Sequence, residues 1–295
     1  MVDGWAALER QIGATTGRSF AIRQRQPLGG GCINPAWRVS DGGRDYFVKI
    51  SAAASLAMYE AEAEGLAELA ASGAVRVPLP VCWGSAAGQS WLVLEYLPLG
   101  GNGTAAMARL GRQLAALHAQ PRPCFGWRRD NTIGSTPQPN PRCDDWIEFW
   151  RERRLGFQLN LAARNGYTGN LQSQGEALLG QFAGLFAGYR PLPALLHGDL
   201  WSGNAGRTAD GEPVVFDPAV YYGDREADLA MTELFGGFPA GFYAAYREAL
   251  PLAVGYPQRR MLYNLYHVLN HLNLFGGGYR AQAERMIAQL LAELR

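Results

Sequence analysis

Leu195-Leu196-His197-Gly198-Asp199-Leu200-Trp201-Ser202-Gly203-Asn204, answered downstream by Val214-Val215-Phe216-Asp217-Pro218, is the stretch on which the reading of this chain turns. Two apolar runs deliver polar residues: an acid at Asp199, a carboxamide at Asn204 and a second acid at Asp217. Carboxylate, carboxamide and carboxylate are hard oxygen donors, a set suited to Mg²⁺. Gly, Asp, Ser and Asn are also ordinary turn residues, so alone this segment reads equally well as a turn between buried strands. Its upstream partners decide between the two.

Residues 6–13 predict a short helix and Phe20-Ala21-Ile22 a first strand. Next comes Pro27-Leu28-Gly29-Gly30-Gly31-Cys32-Ile33-Asn34-Pro35, and after a polar turn at 41–43 the run Tyr46-Phe47-Val48-Lys49-Ile50. Consecutive glycines let a backbone lie close over phosphates with its N–H groups pointing inward. The pattern is not G-x-x-x-x-G-K-[ST] and no βαβ unit follows, which disfavours a P-loop and a dinucleotide fold. Lys49 stands in an apolar β-run and needs a partner, because an unpaired buried charge is costly. The helical stretch 52–71 carries Glu60, Glu62 and Glu64. Glu62, four before Leu66 and seven before Leu69, lies on the apolar stripe and is the expected partner, with Glu60 the fallback.

Residues 81–84 and 91–97 predict a hairpin that ends in a Pro/Gly-rich link, and 105–119 an amphipathic helix. The polar stretch 125–140 has no regular period and reads as a functional loop. A capped helix from Asp144, a long helical stretch to about Tyr189 and three C-terminal helices follow, with Asp228 read as a structural N-cap. The helix at 259–275 is rich in Tyr, His and Asn, which either satisfy one another or line a pocket.

The totals exclude several classes. With 27 Lys plus Arg against 26 Asp plus Glu, the 295-residue chain has a formal net charge of +1. That balance offers no electrostatic footing for nucleic acid or an anionic membrane. No signal-peptide pattern opens the chain and no apolar run has bilayer length, so a cytoplasmic protein is expected. The four cysteines lack C-x-x-C pairing, which suits a reducing compartment. Three are expected to be buried and inert. Cys32, among glycine amides, is the candidate for thiolate character and redox chemistry.

The set resembles the protein-kinase-like fold in its aminoglycoside phosphotransferase branch: glycine turn, strand Lys, helix Glu, H-G-D-x-x-x-x-N and a following Asp. Gly29-Gly30-Gly31-Cys32-Ile33-Asn34, the loop Asp130-Asn131-Thr132-Ile133-Gly134-Ser135-Thr136-Pro137-Gln138, the stretch 197–204 and Leu265-Tyr266-His267-Val268-Leu269-Asn270-His271 are similar to the fructosamine-3-kinase (ketosamine-3-kinase) family. The resemblance implies an α+β, two-lobed fold. A small antiparallel β-rich N-lobe with one helix (1–97) is joined by a hinge (98–103) to a larger, mainly helical C-lobe (104–295).

It also implies ATP-dependent, Mg²⁺-assisted phosphorylation of the O3 hydroxyl of a ketosamine, free or protein-bound, as a deglycation repair activity. Asp199 is then the catalytic acceptor of the hydroxyl proton, and Asn204 and Asp217 are the metal ligands. Lys49 with Glu62, and the turn Gly29, Gly30, Gly31, Cys32, Ile33 and Asn34, hold the phosphates. Glu95, Tyr96 and Leu97 face adenine at the hinge. Trp201, Trp146, His267 and His271 are the candidate substrate contacts. The expected partner is a glycated amine, and the expected state a monomer or a homodimer, the latter disulfide-linked through Cys32 in one version. The competing readings are a kinase of another hydroxylated amine, of aminoglycoside or choline type, and a nucleotide-binding scaffold without catalysis.

Overall fold

The computed structural model describes residues 4–29, 35–100 and 103–295. Its chain gathers into two units, Met1–Leu110 with Gly203–Pro218, and Gly111–Ser202 with Ala219–Arg295.

The first unit is built on five antiparallel strands: β1 (Gln24–Leu28), β2 (Ala36–Ser40), β3 (Asp45–Ala52), β4 (Pro80–Ala86) and β5 (Gln89–Glu95), in the order β1-β2-β3-β5-β4. The β4–β5 hairpin closes through Ala87 and Gly88, both at positive φ (52° and 78°), as a two-residue turn that matches strand twist requires. Helix α1 (Gly4–Thr16) sets Leu8 and Ile12, four residues apart, against Val39, Val48, Cys82, Trp91 and Val93. Each such aliphatic side chain, fully buried, contributes roughly 1.5–3 kcal/mol. Helix α2 (Leu56–Ala71) packs on β4 and β5 as well. Strand alternation sends neighbouring side chains to opposite faces, so the buried Val48 serves the α1 side and Lys49 points to α2.

The expected strand at Phe20-Ala21-Ile22 is not one, because β1 starts at Gln24. The Ile22 N–H donates instead to the Glu9 carboxylate of α1 at 2.6 Å, which takes the donor a ladder would need. The unit also holds the hairpin of β9 (Ala205–Arg207) and β10 (Pro213–Val215), reached only after most of the second unit has been traversed. It docks by Val215 N–H to Arg76 O (3.0 Å) and Gly100 N–H to Arg207 O (2.8 Å).

Helix α3 (Thr104–His118) carries the chain onward. The stretch 125–140 contains a small hairpin, β6 (Asn131–Ile133) and β7 (Thr136–Gln138), turning at Gly134 (φ 62°). Helix α4 (Trp146–Trp150) is capped by Asp145, whose carboxylate accepts the Glu148 N–H at 2.7 Å. A π-turn, Arg151–Leu155, joins it to α5 (Gly156–Arg164). Then come α6 (Asn170–Gln181), β8 (Pro193–Leu196), β11 (Tyr221–Asp224) paired with β8, α7 (Glu226–Leu234), α8 (Ala240–Ala249), α9 (Tyr256–Phe275) and α10 (Arg280–Glu293). The core helix of this unit is α9, packed by α5, α7 and α10. Pro257 in its first turn and Gly276 just past its end bound it.

Cys82 is buried, and burial pushes its thiol up to about 12, so it is inert. Cys124 and Cys143, expected to be buried too, are only half-buried. No helix among the described residues is long and apolar enough to cross a membrane.

Candidate active site

In the first unit the Nζ of Lys49 donates to Glu62 Oε1 at 2.6 Å and to Asp217 Oδ1 at 2.8 Å. Lys49 and Glu62 side chains are each 12% exposed, whereas Asp217 is 40% exposed and keeps a solvent-facing side. Burial by itself would lower the Lys49 pKa, but the Asp217 and Glu62 carboxylates outweigh it and raise it above the ordinary lysine value. The result is a fixed ammonium held between a helix acid and a loop acid.

Asp217 stands at φ 57°, a left-handed conformation that Asp tolerates better than most residues. Its loop is pinned by Phe216 N–H to Asn204 O at 3.0 Å, and the Asn204 amide donates at 3.5 Å to the Asp217 carbonyl. Among the described residues no group of three or more His, Cys, Asp or Glu forms a metal cluster. A carboxylate and a carboxamide with no thiolate or imidazole suit Mg²⁺, which takes one or two protein oxygens and completes its shell with phosphates and water.

Glu95 ends β5; its N–H donates to Leu79 O at 2.8 Å, and its carboxylate pairs with Arg76 at 2.5 Å. The guanidinium of Arg38 lies over the Tyr96 ring at 4.9 Å, and Tyr96 and Leu97 are half-buried. Gly29 lies in a described loop position; Gly30, Gly31, Cys32, Ile33 and Asn34 lie outside the described residues.

In the second unit β8 feeds His197-Gly198-Asp199. Gly198 has φ 83°, and a Cβ there would meet the Ala219 carbonyl oxygen at 2.0 Å, so only glycine fits. The Asp199 carboxylate, half-buried, follows this turn. Asp228 is structural, as expected, but it is not the N-cap. Arg225 occupies that position on α7, and the buried Asp228 carboxylate accepts the N–H groups of His197 (2.7 Å) and Gly198 (2.8 Å) and faces His118 Nε2 at 3.3 Å. An acid three residues into a helix, beside an apolar run, carries no sequence mark that separates this role from capping.

The loop 125–140, singled out in the sequence without roles for its residues, builds a second polar assembly. Asn131 donates to Val220 O (2.8 Å), and Gln138 donates to Asn131 Oδ1 (2.9 Å) and Ala219 O (3.1 Å). Asn140 donates to the same Asn131 oxygen at 2.9 Å, and the Tyr266 hydroxyl donates to Gln138 Oε1 at 2.7 Å. Arg154, fully buried, donates to Pro139 O and Asn140 Oδ1 and lies over Tyr221 at 4.1 Å, with no carboxylate in contact among the described residues. The 125–140 loop thus holds the backbone that follows Asp217-Pro218. The amides and tyrosines of α9 bond to other elements of this unit rather than to one another: Tyr263 donates to Asp224, Tyr266 to Gln138, Asn270 to Ile133 O and Asn273 to Gln158.

The substrate candidates separate. Trp146 is 3% exposed among Phe125, Phe149, Trp150 and Tyr263, and its indole N–H already donates to the Tyr263 hydroxyl. It is a core residue, which corrects the expectation of substrate contact. His267 is 5% exposed, and burial, with His271 beside it, pushes its pKa down to about 3, so it is a neutral packed ring and likewise offers no face to a ligand. Trp201 is half-buried with its ring edge-on to Phe235 at 6.3 Å, and Phe235 lies 4.8 Å from the half-buried His271.

The sheet with its lysine on a helix glutamate, and the H-G-D and Asp217 loops, define a protein-kinase-like phosphotransferase. A choline kinase from Streptococcus pneumoniae shares the fold at TM-score 0.67 and 15% identity, covering 97% of this chain and 98% of its own. The chain belongs to the fructosamine kinase family, whose model matches residues 4–293. It is 51% identical to a candidate ketoamine kinase of Synechocystis, over 97% of each chain. With the chloroplastic protein-ribulosamine 3-kinase of Arabidopsis thaliana it shares 43% identity, over 95% of this chain and 86% of the relative. A crystal structure of a candidate fructosamine-3-kinase from Haemophilus somnus superposes at TM-score 0.90 with 31% identity, covering 98% of each chain.

Proposed function

We propose that this enzyme phosphorylates the O3 hydroxyl of ketosamines with ATP, the sugar being carried on a free or protein-bound amine. The observation that carries the phosphotransfer is the Lys49 ammonium bridging Glu62 and Asp217. The substrate class follows the fructosamine kinase family and the relatives' named activities.

In this reading Lys49, oriented by Glu62, binds ATP phosphate oxygens, and the glycine turn 29–34 covers them with backbone amides. Asn204 and Asp217 hold Mg²⁺, which when bound neutralises phosphate charge. Asp199 accepts the O3 proton and aims the hydroxyl oxygen at the γ-phosphorus. Glu95, Tyr96 and Leu97 border adenine. Trp201 and His271 are the remaining candidates for the sugar-amine, since each keeps an accessible side. The transfer asks little covalent work of the protein, so positioning dominates.

The test is ATP consumption over ribulose-, erythrulose- and fructose-lysine, with the product located by NMR. Turnover on at least one, lowered about 10²–10⁴-fold by Asp199→Asn, is the expected result. No turnover on any, with ATP still bound, sinks the proposal in favour of a scaffold. A redox role for Cys32, as the bridge of a disulfide-linked homodimer, belongs to the same proposal. Non-reducing gels of wild type and Cys32→Ala decide it, an unchanged dimer band in the variant dismissing it.

A further inference from the structure

Ketosamines arise when an aldose aldehyde condenses with a primary amine. The C–N bond forms, the carbonyl oxygen leaves as water, and a hydrogen shift from C2 to C1 turns the imine into the aminoketose. Among side chains only lysine supplies that amine. Of the 27 Lys and Arg residues of this chain, Lys49 is the only lysine; every other basic position is arginine. That one amine is not a surface group. The Lys49 side chain is 12% exposed, and its Nζ is occupied by Glu62 at 2.6 Å and Asp217 at 2.8 Å. A sugar aldehyde would have to displace one of these carboxylates to bring its carbon within bonding distance of the nitrogen.

We propose that this protein is refractory to the sugar–amine condensation, exposing arginine where other proteins expose lysine and shutting its sole side-chain amine between two carboxylates. The resistance stands on sequence and geometry. Its use rests on the function proposed above: a ketosamine kinase so built does not become its own substrate, and its phosphate-binding lysine survives where reducing sugar is abundant.

The experiment is prolonged incubation of the intact protein with ribose, read by intact-mass spectrometry and peptide mapping. The expected result is a single adduct, on the chain's α-amino group, and an unmodified Lys49 peptide. Sugar on the Lys49 peptide of the folded protein overturns the proposal. Arg285→Lys, at an exposed position on α10 outside the site, is the second arm. It gains one further adduct if scarcity of lysine is what protects the chain; an adduct pattern identical to wild type overturns that cause. Adding Mg²⁺ and ATP to the glycated variant separates the two proposals. Loss of the adduct at position 285 supports ketosamine kinase activity. Its persistence counts against that activity and leaves the resistance result standing.

Discussion

Asp228 Oδ1 accepts the Gly198 N–H at 2.8 Å, so a helix acid fixes the backbone turn immediately before Asp199. Its second oxygen takes the His197 N–H at 2.7 Å. Burial alone would raise the Asp228 pKa, but its bond to His118, the nearby His197 and the Gly198 N–H outweigh this and hold it below the ordinary carboxylate value. A depressed carboxylate adds stability above its unfolded pKa of about 4, and that contribution fades as pH falls through the folded value. Asp228→Ala leaves two buried N–H donors unpaired and is predicted to cost roughly 3 kcal/mol. Its kcat is predicted to fall by more than its KM rises. Urea unfolding at pH 7 together with steady-state kinetics checks both, and a variant of wild-type stability refutes the assignment.

Gly198→Ala is predicted to be worse than its size suggests. The added Cβ meets the Ala219 carbonyl at 2.0 Å on a backbone at φ 83°. The left-handed conformation alone costs on the order of 1–3 kcal/mol, and relieving the clash must shift the chain on either side of Asp199 or Ala219. A thermal melt and a kcat measurement are sufficient; unchanged values in both count against the geometry.

Lys49→Met is predicted to lower turnover about 10²–10³-fold, the cost of removing one fixed charge from a developing phosphoryl charge. Glu62→Gln should have a milder effect, because the amide oxygen can still accept from the ammonium where Glu62 Oε1 does at 2.6 Å. Isothermal titration with an ATP analogue distinguishes lost binding from lost chemistry. Equal effects of the two substitutions would contradict Lys49 as the phosphate contact and Glu62 as its tether.

His267 supplies a pH dependence. Burial, then the like charge of His271, lowers its pKa to about 3, whereas an unfolded histidine titrates near 6.5. The folded state binds fewer protons between these values, so stability is full above about pH 6.5 and declines as pH falls. The slope is about 1.4 kcal/mol per pH unit for one proton. Denaturant midpoints of wild type and His267→Gln at pH 7 and pH 5 measure it; the variant should lose the contribution of one histidine. An identical slope in the two proteins would show that His267 is not buried neutral.

What was legible in the sequence was local. An isolated lysine in the β-run of β3 demands an acid, and helical spacing on α2 singles out Glu62, because both periods are properties of the backbone itself. The spacing from Asp199 to Asn204 and on to Asp217 is likewise a chain property. The burial of Trp146 and His267 was not legible, since an aromatic on an amphipathic helix can face a ligand or a neighbouring ring equally well. Nor was the return of 203–218 to the first unit, where it brings Asp217 to Lys49 across 168 residues. The part played by Asp228, and by the Asn131, Gln138, Asn140 and Arg154 assembly, depends on which backbone groups are left without ladder partners. That is settled only when distant segments pack, because a buried donor or acceptor takes whatever partner the tertiary structure brings within reach.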